Sequence, residues 1–396
     1  MRVPYGMTVH GQEEIDAVVN VLKTSTQMGK HVREFEDKIA KLFDKKHGLM
    51  VNSGSSALYL GIEVLGLPKS SEVITPVLTF STTVASLVKN DLVPVFIDVE
   101  EDTFLIDVNQ VEKHITDNTS AIAVPNLLGN IPDWGRIADI AKRHNLKIIE
   151  DSADTLGGTL RGESSGKYSD MSITSFYGSH VINGAGNGGL LCVNDDEMYR
   201  RAKLLRSWGR SSSIFVESEK IENRFNVELE GIQYDAKFVF EEPGYNLEPS
   251  EISAAFGLVQ LGKLENNIQA RINNYAKQYS FFNQYSDWFI MPRQTPETIT
   301  GWLAFPLIVK ESAPFSRTAM QIVLEKANIQ TRVIFTGNIL KQPGFKDINC
   351  IKDENGYPNA DNVMKGGVLL ACHHGLTDEM IDYIHTKFIM FASQFL

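Results

Sequence analysis

Between residues 47 and 193, short apolar runs alternate with patterns of helical spacing. Gly48–Val51 reads as a buried strand, followed by the small-residue loop Asn52-Ser-Gly-Ser-Ser56 and a helix over Ala57–Leu65. Val73–Thr75, Val93–Asp98, Ala121–Pro125, Lys147–Glu150, Met171–Phe176 and Gly189–Val193 read as further strands, with helices near 82–88 and 134–144. Strands separated by helices predict an α/β fold with a mostly parallel sheet.

Helical patterns follow at 196–207 and 250–285, with a polar, irregular stretch at 211–243 between them. Beyond 286 the pattern restarts with strands at Leu303–Val309 and Gln330–Phe335, a helix at Arg317–Ala327 and a closing helix over 378–394. The expected organisation is a large α/β domain over 1–265 and a small α+β domain over 266–396. With no internal repeat or low-complexity linker, the two are expected to be tightly joined.

The 396 residues, 43% hydrophobic and 22% charged, suffice for two such domains. No apolar run approaches the roughly 20 residues a bilayer span needs, and the N-terminus lacks a signal-peptide pattern. A cytoplasmic protein without a membrane partner is expected. A net charge of −11 argues against nucleic acid as a partner. Cys192, Cys350 and Cys372 lie far apart, so no disulfide framework or metal site is expected. Three thiols also fall short of the four that an all-cysteine iron–sulfur cluster requires.

Four constellations carry candidate chemistry. Gly54, Ser55 and Ser56 lie between a strand and a helix, where free N–H groups favour an anion; a plain serine N-cap explains them equally well. Asp151 and Asp154 follow an apolar strand, at the sheet edge where α/β proteins place ligands. A carboxylate there can hold a protonated ring nitrogen or merely cap the next element. His180 follows Thr174-Ser-Phe-Tyr-Gly-Ser and precedes the glycine-rich Asn183–Gly189; a lone histidine is more often structural. Pro243-Gly-Tyr-Asn-Leu247 can be only a turn before a helix.

In their order and spacing, these segments resemble the sugar-modifying branch of the fold-type-I pyridoxal-phosphate enzymes, the DegT/DnrJ/EryC1/StrS aminotransferase family. The resemblance runs from about Gly29 to the C-terminus. It is carried by Ser-Gly-Ser-Ser at 53–56, Glu-Asp at 150–151, Ser-Phe-Tyr at 175–177, the glycine-rich loop, Gly-Tyr-Asn at 244–246 and the helix Ala254–Leu261. It implies that Gly54, Ser55, Ser56 and Ser175 hold the cofactor phosphate and that Phe80 stacks on the ring. Asp151 would pair with the ring nitrogen, Ala153 pack against the ring and Asp154 lie near its hydroxyl. Asn246 would reach the phosphate of the neighbouring subunit in a homodimer with shared active sites.

Family aminotransferases place a lysine shortly after the Ser-Phe segment, where it forms an imine with the cofactor. Here His180 takes that place. Imidazole cannot form the imine, but it can move protons near neutral pH. This exchange resembles the C3-dehydratase subgroup that works from pyridoxamine phosphate on nucleotide-linked 4-keto-6-deoxyhexoses, in deoxysugar and O-antigen biosynthesis. One kind of these dehydratases binds an iron–sulfur cluster through cysteines after a Trp-Gly-Arg segment. Here Trp208-Gly-Arg210 is followed by serines, so the likeness is to the cluster-free kind acting on GDP-4-keto-6-deoxymannose. That kind regenerates pyridoxamine phosphate from L-glutamate, and Thr336-Gly-Asn338 fits it as well. Arg206, Arg210 and Arg332 are candidate contacts to sugar phosphate or carboxylate, with surface ion pairing as the alternative. Asn187 departs from the acidic residue many relatives carry, and the loop after His180 is longer than in close dehydratases. Two other functions fit the sequence: a sugar aminotransferase lacking the lysine, and an inactive cofactor-binding homologue.

Overall fold

The computed structural model describes residues 1–215 and 220–396. Its centre is a seven-stranded sheet of β1 (His47–Val51), β2 (Glu72–Pro76), β3 (Val93–Ile97), β4 (Thr119–Pro125), β5 (Lys147–Ser152), β6 (Met171–Ser175) and β7 (Gly189–Val193), in the order β1-β7-β6-β5-β4-β2-β3. β7 runs antiparallel to both neighbours, and the other pairings are parallel. Nearly every residue of β2, β4 and β5 is buried, as continuous apolar strands covered on both faces require. Helices Gly54–Leu65, Ser81–Lys89 and Trp134–His144 provide that cover.

Two helices precede the first expected strand, Gln12–Thr24 and Lys30–Leu42. In the second, Val32, Phe35 and Ile39 form a narrow buried stripe on an otherwise charged helix. Phe35 packs against Phe176 with ring centroids 4.7 Å apart, so this helix braces the chain just beyond Ser175. The helical stretch expected at 250–285 divides at Gly262–Lys263 into Glu251–Leu261 and Leu264–Phe282. The irregular stretch expected at 211–243 falls partly on 216–219, outside the described residues. The remainder contains a short hairpin, Val227–Leu229 with Ile232–Tyr234.

Toward the C-terminus, Phe289–Ile290, Phe305–Val309 and Gly367–Leu370 form a three-stranded antiparallel sheet. Helices Arg317–Lys326 and Asp378–Ala392 pack in the same apolar cluster, which also takes in Val3, Val77, Leu78 and Phe96. The strand expected at 330–335 is absent. Single bridges join Ile329 to Val3 and Arg332 to Leu369, and Phe335, at φ +42°, turns the chain away before a ladder can form. Among the described residues, no helix is long and apolar enough to cross a membrane.

Candidate active site

The carboxyl ends of β1, β4, β5 and β6 converge on a cavity of about 360 Å³. It is lined by nine of the residues singled out from sequence: Gly54, Ser55, Phe80, Asp151, Ala153, Asp154, Ser175, His180 and Asn187. At one end Ser53 caps the helix beginning at Gly54, its Oγ accepting from the Ser56 N–H (3.1 Å). The Ser56 hydroxyl is spent on Asn52 Oδ1 (2.7 Å), so Ser56 supports the turn and lies outside the cavity lining. Ser55 remains at the cavity, its Oγ near that of Thr82 (3.2 Å).

Two glycines make this end possible. A Cβ on Gly54 would stand 2.7 Å from Ser175 Cβ, and one on Gly189 would stand 2.3 Å from the Ser53 carbonyl carbon. Only bare backbone lets the two serine-bearing loops meet. Gly54→Ala should therefore strain the contact between the start of helix Gly54–Leu65 and Ser175 at the end of β6, costing about 1–3 kcal/mol. It should also weaken uptake of a phosphate-bearing cofactor, to be read by thermal unfolding and cofactor fluorescence; unchanged values for both would contradict this packing.

At the centre lies Asp151, its Oδ2 accepting from Thr83 Oγ1 (2.8 Å) and its Oδ1 from the Ala153 N–H (3.1 Å). Burial raises its pKa, against the pull of those two hydrogen bonds. No cation pairs with Asp151 among the described residues. A desolvated carboxylate facing a cavity without a counter-charge suits a ligand that brings one, such as a protonated pyridine nitrogen. Phe80, 52% exposed, presents its ring to the same space. Cradle, carboxylate and ring together fit pyridoxal phosphate.

His180 forms another part of the cavity wall. Its Nδ1 lies 3.1 Å from the Ser175 carbonyl oxygen. A carbonyl only accepts, so Nδ1 carries the proton and Nε2 presents a lone pair, 3.9 Å from Asp154 Oδ1. Burial lowers the His180 pKa to about 4, which keeps the ring neutral at neutral pH with the Nε2 lone pair free. Asp154 moves the other way, to about 7, because burial outweighs the Leu128 N–H that it accepts at 3.0 Å. Among the described residues no lysine lines the cavity.

The three candidate arginines do not join this lining. Arg206 is buried, its Nη1 donating to Glu36 Oε1 (2.8 Å) and the Met50 carbonyl (2.9 Å). A guanidinium committed to an internal carboxylate cannot meet substrate, so the expected role of Arg206 is corrected to that of a core ion pair. Arg210 lies over the Trp208 ring at 4.7 Å, away from the cavity. Arg332 is exposed and sits 5.5 Å from the ring centre of Tyr5, itself a lining residue, so it is at the rim. Asn246 is exposed and outside its own chain's cavity, its Oδ1 accepting from the Glu248 N–H (3.4 Å).

Tyr5, Thr83, Leu303 and Phe335 line the cavity without having been singled out. Phe335 meets Phe80 edge-on with centroids 6.0 Å apart. Thr336 holds it there, donating to the Thr79 carbonyl (2.7 Å). Of these, only Thr336-Gly-Asn338 left a signal in the sequence.

A large sheet with one antiparallel strand, and a ligand cavity at its carboxyl edge, define a pyridoxal-phosphate-dependent enzyme of the aminotransferase fold. The model of the DegT/DnrJ/EryC1/StrS aminotransferase family matches residues 9–389, and the chain belongs to that family. It is 32% identical to a dTDP-4-dehydro-2,6-dideoxy-D-glucose 3-dehydratase of Saccharopolyspora spinosa, over 99% of this chain and 86% of that one. Two solved structures of GDP-4-keto-6-deoxymannose-3-dehydratase superpose closely. A histidine-to-asparagine variant with bound GDP-perosamine gives a TM-score of 0.86 at 28% identity, covering 98% of this chain and 100% of that one. A form with a trapped PLP-glutamate geminal diamine gives 0.85 at 29%, with the same coverage.

Proposed function

We propose that this protein removes the C3 hydroxyl of a nucleotide-linked 4-keto-6-deoxyhexose, using pyridoxamine phosphate regenerated from L-glutamate. The product is a 3,6-dideoxy-4-keto sugar of the kind used in O-antigen and related polysaccharides. The observation that carries this reading is His180 Nε2, an unprotonated base facing a cavity that has a ring-nitrogen carboxylate and no lysine. The names of the dehydratase relatives support it.

When bound, the cofactor supplies an amine for the sugar ketone and a ring that accepts an electron pair. Around it, Gly54, Ser55 and Ser175 bind phosphate, Asp151 keeps the ring nitrogen protonated, and Phe80 and Ala153 hold the ring between them. Asp154 lies toward the ring hydroxyl. His180 Nε2 takes and returns the proton, its ring fixed by the Ser175 carbonyl. Residues 1–265 form the cofactor unit in this reading, and 266–396 complete the substrate side.

The working unit in this reading is a homodimer in which Asn246 serves the neighbouring subunit. The exposed apolar side chains of Ile232, Tyr234, Phe238 and Phe240 give a second copy something to bury.

The test incubates the protein with pyridoxal phosphate, glutamate and GDP-, CDP- or dTDP-linked 4-keto-6-deoxyhexoses. The expected products are 2-oxoglutarate, ammonia and a sugar nucleotide one oxygen atom lighter. A product with an amine in place of the ketone and its C3 hydroxyl intact would instead identify an aminotransferase. All sugars left intact by cofactor-loaded protein would end the proposal.

A further inference from the structure

Behind the wall that carries His180 lies an arginine for which the mechanism above has no use. Arg271, on helix Leu264–Phe282, is fully buried (0% exposed). Its Nη1 donates to the carbonyls of Trp302 (3.0 Å) and Leu303 (3.1 Å), and its Nη2 to those of Ser179 (3.2 Å) and His180 (3.1 Å). Nε has no partner, and among the described residues no carboxylate lies within ion-pairing distance.

Buried guanidinium groups are ordinarily neutralised by an acid, because removing an unpaired charge from water is costly. Here the fork is used differently. Its two arms join the His180 loop to the Trp302–Leu303 segment, and Leu303 itself lines the cavity. Lysine, with a single nitrogen, could not span both pairs of carbonyls in this way. The site lacks slack: a Cβ on Gly301 would stand 3.3 Å from Arg271 Cδ.

We infer that Arg271 is a positioning residue for the proton-transfer step: it fixes the main chain of Ser179–His180 against the Leu303 wall and so sets where His180 Nε2 reaches into the cavity. This rests on the dehydratase reading for its function, though not for its geometry. Burial and, less strongly, the Arg271 charge also disfavour protonation of the His180 ring. The other titratable groups around the ring are Asp154 at the end of β5, Tyr177 on the same loop (centroids 6.0 Å apart) and Tyr5, which couples to Asp154.

The test uses full-length Arg271→Met and Arg271→Lys, checked for folding by circular dichroism and loaded with pyridoxal phosphate. The rate at which glutamate converts the cofactor to its amine form is followed by absorbance, and the His180 tautomer and titration by nitrogen-15 NMR, assigned with His180→Asn. Arg271→Met should bind cofactor and glutamate within roughly threefold of the parent, yet convert about 10²-fold more slowly. Its His180 should lose the fixed Nδ1-protonated form and titrate closer to the ordinary value near 6.5. Arg271→Lys should recover only part of the rate.

A parental rate and unchanged His180 signals in Arg271→Met would overturn the inference. If that variant does not fold, a parental rate in Arg271→Lys would overturn it too, because the fork would then be dispensable. Should the parent protein itself fail to react with glutamate, the dehydratase reading falls, and the His180 signals still decide the role of Arg271.

Discussion

His180→Lys should turn a protein that holds its cofactor without a covalent bond into one that carries pyridoxal phosphate as a borohydride-reducible adduct, while sugar deoxygenation falls at least about 10²-fold. The amine would start from the wall that now carries imidazole, in a cavity also lined by Gly54, Ser55, Ser175 and the buried Asp151. Desolvation there lowers a lysine pKa and so raises the fraction of reactive amine. The loss arises because a lysine tied up in the adduct has to leave it before it can move the proton that the neutral Nε2 takes directly. Intact mass after reduction reads the first effect, and chromatography of the sugar nucleotides reads the second. Absence of any adduct in folded, cofactor-loaded variant would mean that position 180 does not face the reactive carbon. Undiminished deoxygenation would show that imidazole is not the base.

Arg206→Met should produce the largest change in stability, a loss of about 3–5 kcal/mol, because it leaves a buried carboxylate unpaired. Glu36 Oε1 accepts from both Arg206 Nη1 and the Met50 N–H (2.8 Å each), tying helix Lys30–Leu42 to β1. Burial already raises the Glu36 pKa, and Arg206 opposes that rise. Without the arginine Glu36 takes up a proton more readily folded than unfolded, so the deficit should shrink as pH falls through its raised pKa. Removing both charges with Glu36→Leu should restore most of the loss. Urea unfolding at two pH values checks all three. Equal stability of the single variant and the parent would exclude a buried pair. Cofactor affinity should change little, since neither residue lines the cavity.

Most of the fold could be read from the sequence because strands buried on both faces leave short apolar segments between helical patterns, as at Gly48–Val51, Val93–Ile97 and Gly189–Val193. The motif residues that line the cavity were legible for a related reason. They sit at or just beyond the carboxyl ends of strands, where a local motif reports a local conformation. Tyr5, Thr83, Phe335 and Arg271 fail that condition. Each reaches the site by packing against chain far away in sequence, and apart from the Thr336-Gly-Asn338 segment beside Phe335 nothing in its own neighbourhood marks it. Arg206 misled because its partner, Glu36, lies 170 residues earlier, so the ion pair that buries it is invisible in its own segment. The alternation at 330–335 misled differently. Thr331 and Ile334 are buried while Arg332 and Val333 are exposed, a pattern produced by two isolated bridges and a turn.

The Tyr5 N–H donates to Gln330 Oε1 at 3.1 Å, across a separation of 325 residues. Val3 bridges Ile329 beside it, and Tyr5 then forms part of the cavity wall. During synthesis this wall cannot close until Gln330 has left the ribosome, whereas every strand of the large sheet lies within the first 193 residues. Domains emerging N-terminus first can begin folding at once, but closing so long a loop comes late. The sheet can therefore be complete while its cavity is still open on one side, and the wall contributed by Tyr5 is expected to close only after Gln330 has emerged.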